Sequence, residues 1–358
     1  MREVAALPLP PTVRQKLQAS GFHSVIDLNN INPVDLSKEA HLTHEEALSV
    51  LTAVHGADIQ RAVAGAKSAS NILREEQARR VITTGAAELD ALLGGGVAPQ
   101  EVTEFCGVPG IGKTQLGMQL AVNVQIPHEL GGVGGHAIYI DTEGSLIAER
   151  VVDMAHALVG EVSSIAAASN NPQKVYAAKQ LTVDSVLANM HYFRVHTATE
   201  QRALLNSLEK FLNSHQHVRL VVIDSIAFHF RQDFPDMSQR TRILNESSLL
   251  LMRLADKFSL AIVSINQVTT KVSTDGPSML VPALGESFAH ACTTRVILHW
   301  QQDHTKQRYA HLYKSPRLPQ STAPFRVEKN GIRGLAGSSY TIHLGGCLIG
   351  QKRPYGHE

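Results

Sequence analysis

Gly107-Val108-Pro109-Gly110-Ile111-Gly112-Lys113-Thr114 matches GxxxxGK[ST] at every specified position. The chemistry of that spacing is phosphate binding. Gly107, Gly110 and Gly112 let backbone N–H groups turn toward phosphate oxygens, and a helix starting nearby presents its positive end to the same anion. Lys113 would reach the β- and γ-phosphates of ATP, and Thr114 would ligate Mg2+. Such a site also needs a carboxylate at the end of a buried strand. Leu220-Val221-Val222-Ile223-Asp224-Ser225 supplies Asp224, which would hold the Mg2+.

Two further pieces leave alternatives open. In Tyr139-Ile140-Asp141-Thr142-Glu143-Gly144, Glu143 follows an apolar run, where it could orient or deprotonate the attacking water. An acid ahead of Gly144 is equally a turn residue. Ser264-Ile265-Asn266-Gln267 ends another apolar run in amides. Gln267 reads either as a sensor of the γ-phosphate or as a turn former.

The elements that must position these residues begin at about Val81. Apolar runs over 101–106, 136–141, 191–196, 219–224, 260–265, 295–300 and 308–313 read as strands. Patterns over 115–124, 148–159, 200–213 and 241–258 read as helices, and 163–182 as a surface insertion. Continuous apolar strands alternating with helices imply an α/β fold, a mostly parallel sheet covered on both faces. Upstream, residues 1–57 read as a small all-α domain. Its last helix starts at a capping box, Thr43 with Glu46, and carries an apolar face of Ala47, Leu48, Leu51 and Val54. Residues 58–80, rich in Ala, Ser and Arg, read as a linker, 81–345 as the core and 346–358 as a flexible tail.

Composition bounds the rest. With 358 residues, 43% hydrophobic and 18% charged, the chain has the make-up of a globular protein with one large domain and a small one. A net charge of +1 excludes no partner. Residues 301–358 hold nine Lys/Arg against three Asp/Glu, which suits a polyanion partner and a solvated surface equally. Cys106, Cys292 and Cys347 form no CxxC pair, which fits the cytosol or nucleus. No stretch reaches the ~20 apolar residues of a membrane helix, and Met1-Arg2-Glu3-Val4 begins no signal peptide, so no membrane partner is expected. The 18 histidines are scattered, and His215 and His217 read as surface residues.

GVPGIGKT, YIDTEG with Arg150 after it, LVVIDS and SINQV follow one another in that order. Thr84-Gly85, Leu89-Asp90 and Leu92-Leu93-Gly94-Gly95-Gly96-Val97 precede them, and Thr293-Thr294-Arg295 and Tyr313-Lys314-Ser315-Pro316 follow. This set resembles the eukaryotic and archaeal branch of the RecA-like recombinases over about residues 83–345. Val281 to Ser287 and Met118 to Pro127 are similar to the paralogue group designated C, which assists the main recombinase.

The resemblance implies roles. Lys113 and Thr114 match the phosphate and Mg2+ residues, Asp224 the strand-end acid, Glu143 the catalytic carboxylate and Gln267 the switch between nucleotide and DNA. Arg150 matches an arginine that stacks on adenine. Arg231 to Arg242 and Val268 to Glu286 match two DNA loops, making Arg231, Arg240, Arg242 and Lys271 candidate DNA-phosphate contacts. The implied function is ATP-dependent assistance of homologous recombination in DNA break repair. It would rest on a weak, DNA-stimulated, Mg2+-dependent ATPase that binds single-stranded or branched DNA. The implied partners are other recombinase paralogues in a hetero-oligomer and the main recombinase filament. The implied location is the nucleus, with the cytoplasm second. An assembly scaffold that binds ATP without needing its hydrolysis is the alternative, and no helicase-specific segment is visible.

Departures from the family pattern narrow this. The first loop, Gln232 to Met237, is short and acidic, which argues against strong strand exchange. His41 stands where the helical lobe's hairpin has glycine, and Ala69 to Leu73 replaces the aromatic hook of filament formers. A small hetero-oligomer is therefore expected rather than a long filament. Lys314 lies in the segment that caps a neighbour's ATP in filaments, and could place positive charge there.

Overall fold

The structure, a computed structural model, describes residues 3–28, 31–64, 66–232, 237–271, 279–301 and 307–335. The chain divides into two compact units, Met1–Ala78 and Arg79–Glu358. The proposed tail 346–358, with Cys347, lies outside the described residues.

The first unit is helical throughout: α1 (Pro11–Ala19), α2 (Pro33–Glu39), α3 (His44–Ala64) and α4 (Ala69–Ala78). Pro33 opens α2, and the Asn32 side chain accepts from the N–H groups of Val34 and Asp35. The capping box before α3 is reciprocal. Thr43 N donates to Glu46 Oε2 at 2.8 Å, and Glu46 N donates to Thr43 Oγ1 at 3.1 Å. Ala47, Val50, Leu51 and Val54 of α3 join Leu17, Leu28 and Leu36 in one core. Leu48, expected on that face, is 44% exposed, and Val50 takes its place. His41 has φ +50, so this non-glycine residue adopts the left-handed geometry of the turn it occupies. Between 58 and 80, where a linker is expected, α3 continues and α4 forms with every side chain exposed.

The second unit is built on one sheet. In chain order its elements are α5 (Ala87–Leu92), β1 (Glu101–Gly107), α6 (Lys113–Asn123), β2 (His136–Asp141), α7 (Ala148–Ala168), α8 (Pro172–Gln180), α9 (Val183–Ala188), β3 (Met190–Arg194) and α10 (Ala198–Ser214). Then come β4 (Val218–Asp224), α11 (Ala227–Gln232), α12 (Met237–Phe258), β5 (Ala261–Lys271), β6 (Met279–Pro282), α13 (Gly285–Ala291), β7 (Thr294–Trp300), β8 (Arg308–Lys314), β9 (Thr322–Glu328) and β10 (Gly331–Arg333). The strand order is β10-β9-β8-β7-β1-β5-β4-β2-β3, with β6 paired to β5. From β7 to β3 all neighbours are parallel, while β8, β9 and β10 add antiparallel partners at one edge.

Alternation along each parallel strand feeds two cores, since successive side chains point to opposite faces. Ala137, Tyr139, Leu220, Val222, Val263 and Ile265 pack with α6, α7 and α9 on one face. Ile138, Ile140, Val221, Ile223 and Ile262 pack with α10 and α12 on the other.

Some sequence expectations change. Residues 163–182 are no insertion: α7 runs through Ala168 and α8 follows, capped by Asn171 with Pro172 in its first turn. The helix α7 is also long and apolar enough to cross a membrane by length and composition, contrary to the sequence expectation. Its Val151, Met154, Ala155, Leu158, Val162 and Ala166 face the core. His215 is not a free surface residue, because its ring stacks on Phe211 with centroids 3.8 Å apart. The strands β9 and β10 escape the sequence reading, and Pro324 within β9 breaks the usual strand signal.

Gly117 sets how closely α6 approaches the sheet. A Cβ there would meet Ile265 Cδ1 at 2.8 Å and Val222 Cγ1 at 3.1 Å. Gly117→Val is expected to lower stability by about 1–3 kcal/mol through overpacking. The check is urea denaturation of the full-length chain, and an unchanged midpoint would contradict this packing.

Candidate nucleotide-binding site

Register brings the sequence-predicted residues to within two residues of one level, since Asp224 pairs with Ile265 of β5. In β1 and β5, Gly107 pairs with Gln267. In β2 and β4, Asp141 pairs with Asp224. The C-terminal ends of β1, β4 and β2, with β5 at Gln267, thus form one rim, where parallel α/β sheets hold their ligands.

The phosphate loop spans this rim between β1 and α6. Gly110 and Gly112 have φ +77 and +110, and Gly110 has open space where a Cβ would stand. Gly107 has none, since a Cβ would meet the Leu298 carbonyl at 2.6 Å. The Lys113 ammonium donates to the carbonyls of Gly107 (2.9 Å) and Val108 (3.0 Å). Burial holds its pKa below the usual lysine value, while Asp224 and Glu143 oppose that shift.

Asp224 is the buried carboxylate of the site, at 2% exposure. Burial pushes its pKa up to about 6, against the hydrogen bonds from Thr114 and Tyr139. Tyr139 donates to Asp224 Oδ2 at 2.9 Å, and its own pKa is raised by burial and by the neighbouring Asp224 charge. A threonine hydroxyl beside a carboxylate is a hard-oxygen set that suits Mg2+. Open space at Gly110 and a lysine held against the loop carbonyls suit a phosphate chain. Thr114 and Asp224 would hold the ion, and Gly107, Gly110, Gly112 and Lys113 the phosphates.

Glu143 stands on a turn built by Asp141. The Asp141 Oδ1 accepts from the N–H groups of Glu143 (3.0 Å), Gly144 (2.6 Å) and Ser145 (3.3 Å), and Oδ2 from Leu146 N (3.1 Å). Thr142 locks this turn to β4. Its Oγ1 donates to Ser225 O and accepts from Ser225 N, both at 2.8 Å. The carboxylate itself is then positioned twice. Glu143 Oε1 accepts from Ser225 Oγ at 2.7 Å and from Gln267 Nε2 at 2.8 Å. The two residues that the sequence leaves ambiguous are therefore in direct contact.

The other candidates lie differently. Arg150 Nε donates to Gln115 Oε1 at 2.6 Å, and its terminal nitrogens donate to the Glu328 and Lys329 carbonyls between β9 and β10. The expected first DNA loop is helical on both sides. Arg231 lies in α11, Arg240 and Arg242 in α12, with 233–236 outside the described residues. Arg242 lies 3.9 Å from Glu246, one turn on. The second segment is not one loop either. It pairs β5 with β6 and leads into α13, with Lys271 ending β5 and 272–278 outside the described residues. Lys314 does not reach outward for a neighbour. Its Nζ donates to Ala289 O (2.8 Å) and Cys292 O (2.7 Å), capping the C-terminus of α13. Tyr139, Asp141, Thr142 and Ser225 are site residues that sequence reasoning missed. The partners of Tyr139, Thr142 and Ser225 are distant in the chain, whereas Asp141 bonds the next residues and its local signal was an acid heading a turn before Gly144.

Asp224 has a higher pKa folded than its ordinary value of 3.8, so the folded state binds more protons between about pH 4 and 6. Its contribution to stability is unfavourable above that window and fades as pH falls through it. Asp224→Asn is expected to stabilise the ligand-free chain by about 1–3 kcal/mol near neutral pH, with the gain shrinking toward about pH 4. The same substitution should remove Mg2+-dependent nucleotide binding. Urea denaturation across that pH range, with calorimetric nucleotide titration, checks both, and unchanged stability at neutral pH would contradict the burial argument.

A profile of the Rad51 family matches residues 75–164 and 167–335. "DNA repair protein RAD51 homolog 3" of Cricetulus griseus is 44% identical over 360 residues, covering 98% of this chain and 97% of that protein. The Dictyostelium discoideum protein of the same name is 46% identical over 253 residues, covering 70% of this chain and 65% of that protein. On the profile match and the near full-length similarity, the chain belongs to the Rad51 family.

Proposed function

We propose that this chain is an ATP-dependent accessory protein of homologous recombination, acting in DNA repair beside the main recombinase. The observation that carries the reading is the three-way contact of Glu143 with Ser225 and Gln267 at the rim of the phosphate loop. A carboxylate held by two donors is oriented before substrate arrives. Gln267 sits where β5 leaves the core toward the segment that resembles a DNA loop. The names of the relatives, DNA repair proteins, support the biological setting.

In this reading Lys113 neutralises phosphate charge, and the loop N–H groups orient the phosphate chain. Thr114 and Asp224 would hold Mg2+, which would supply further charge neutralisation. Glu143 accepts a proton from the attacking water, and Gln267 adjusts Glu143 when the adjoining segment engages DNA. Arg150, bonded to Gln115 of α6, would stack its guanidinium plane on adenine after release from the Glu328 and Lys329 carbonyls. Arg231, Arg240, Arg242 and Lys271 would contact the phosphates of single-stranded or branched DNA, which gives affinity without sequence choice. Turnover is slow and rises on DNA. The working form is a hetero-oligomer with other recombinase paralogues in the nucleus, loading or remodelling the main recombinase filament.

Glu143→Gln keeps the size and hydrogen-bonding reach of the side chain and removes the base. It should leave ATP binding intact and lower hydrolysis by about 10²–10⁴-fold. Nucleotide binding, single-turnover hydrolysis and repair complementation together check this. Full repair activity with hydrolysis lost would replace the reading with an ATP-bound assembly scaffold.

A further inference from the structure

One cation touches the phosphate loop from outside the residues named so far. Arg308 opens β8, and its Nε donates to the Ile111 carbonyl at 3.1 Å. Its guanidinium lies 4.5 Å from the centroid of the Trp300 ring. Trp300 ends β7 and is the cross-strand partner of Arg308 in the antiparallel pair. It is also the single tryptophan of the chain, and it packs on the core beneath the loop. On the other side Arg308 pairs in register with Phe325 of β9, which is fully buried. Phe325 and Val327 back Gly112, since a Cβ there would meet Val327 Cγ2 at 3.0 Å and Phe325 Cε2 at 3.8 Å.

The peptide that Arg308 grips is the one joining Ile111 to Gly112. Its carbonyl accepts the charged donor, and its N–H belongs to Gly112, within the run of N–H groups that such loops offer to phosphate. A charged donor at the carbonyl end polarises that N–H and resists rotation of the peptide. Gly112 needs this help, because a glycine at φ +110 is held by no side chain of its own. A guanidinium suits the task better than an ammonium, because it can stack on the indole face while donating in its plane.

We propose that Arg308, stacked on Trp300, is a positioning residue for nucleotide binding that holds the Ile111–Gly112 peptide in its phosphate-ready orientation and passes loop occupancy to the β7–β8 pair. The proposal rests on the reading of the loop as an ATP site. It places a reporter inside the molecule, since anything that moves the loop peptide moves Arg308 against the chain's one tryptophan.

The experiment titrates the full-length chain with a fluorescent N-methylanthraniloyl ATP plus Mg2+, and separately follows Trp300 emission on adding unlabelled ATP. Wild type should bind and change its tryptophan emission. Arg308→Met should weaken binding by about fivefold to thirtyfold and lose the emission change even at saturating ATP. Arg308→Lys, which keeps charge and one donor without the plane, should fall between the two in affinity. It also serves if the methionine variant fails to fold by circular dichroism. Wild-type affinity in Arg308→Met, or in Arg308→Lys should the methionine variant not fold, would overturn the proposal, as would a retained emission change in Arg308→Met. Failure of wild type itself to bind would instead overturn the ATP reading beneath it, so the two failures are distinct.

Discussion

Everything at the rim depends on the register of parallel strands. Because Gly107 lies level with Gln267, and Asp141 and Asp224 level with Ile265 two residues earlier in β5, four chain segments present their polar residues within two residues of one another along the sheet. A parallel sheet cannot slip by one residue without turning each strand's buried side chains to the opposite face. Here both faces are core, with Val222 on one side and Val221 and Ile223 on the other. Packing of the two apolar layers therefore fixes the height at which the polar residues emerge. The geometry of the rim is a consequence of hydrophobic alternation several residues earlier in each strand.

The rim is also where stability is given up. Asp224 is buried and raised in pKa, relieved by neutral donors from Thr114, Tyr139 and Ser145. Burial of an ionisable group without a paired cation is costly, and it persists where function requires it. The neighbouring Asp141 is the contrasting case. It is as buried as Asp224, but four backbone N–H groups and Tyr192 surround it, so it holds a turn rather than awaiting a cation. Two acids that look alike in YIDTEG and VVIDS thus differ in what donates to them, Asp141 holding a turn and Asp224 facing hydroxyl donors.

Much of the fold was legible because its signals are local. The glycine loop is contiguous, and the apolar runs ending at Asp141, Asp224 and Gln267 fall on β2, β4 and β5. The helix α8 was legible too, since Asn171 followed by Pro172 is a helix start, but the polar run around it reads more easily as an insertion. Other features were not, because they join distant residues. Tyr139 and Asp224 are 85 residues apart, and Arg308 and Ile111 are 197 apart. No spacing rule reaches that far. Lys314 shows how a suggestive position can also meet a local need, the exposed carbonyls at the end of α13.

In the proposed function, Gln267 acts on Glu143 to tie nucleotide turnover to DNA. The most direct measurement is single-turnover ATP hydrolysis by Gln267→Ala, with and without single-stranded DNA, beside wild type. The account predicts that basal turnover persists in the variant while stimulation by DNA is lost. Stimulation equal to that of wild type would contradict it, because the contact between the two side chains would then carry no signal.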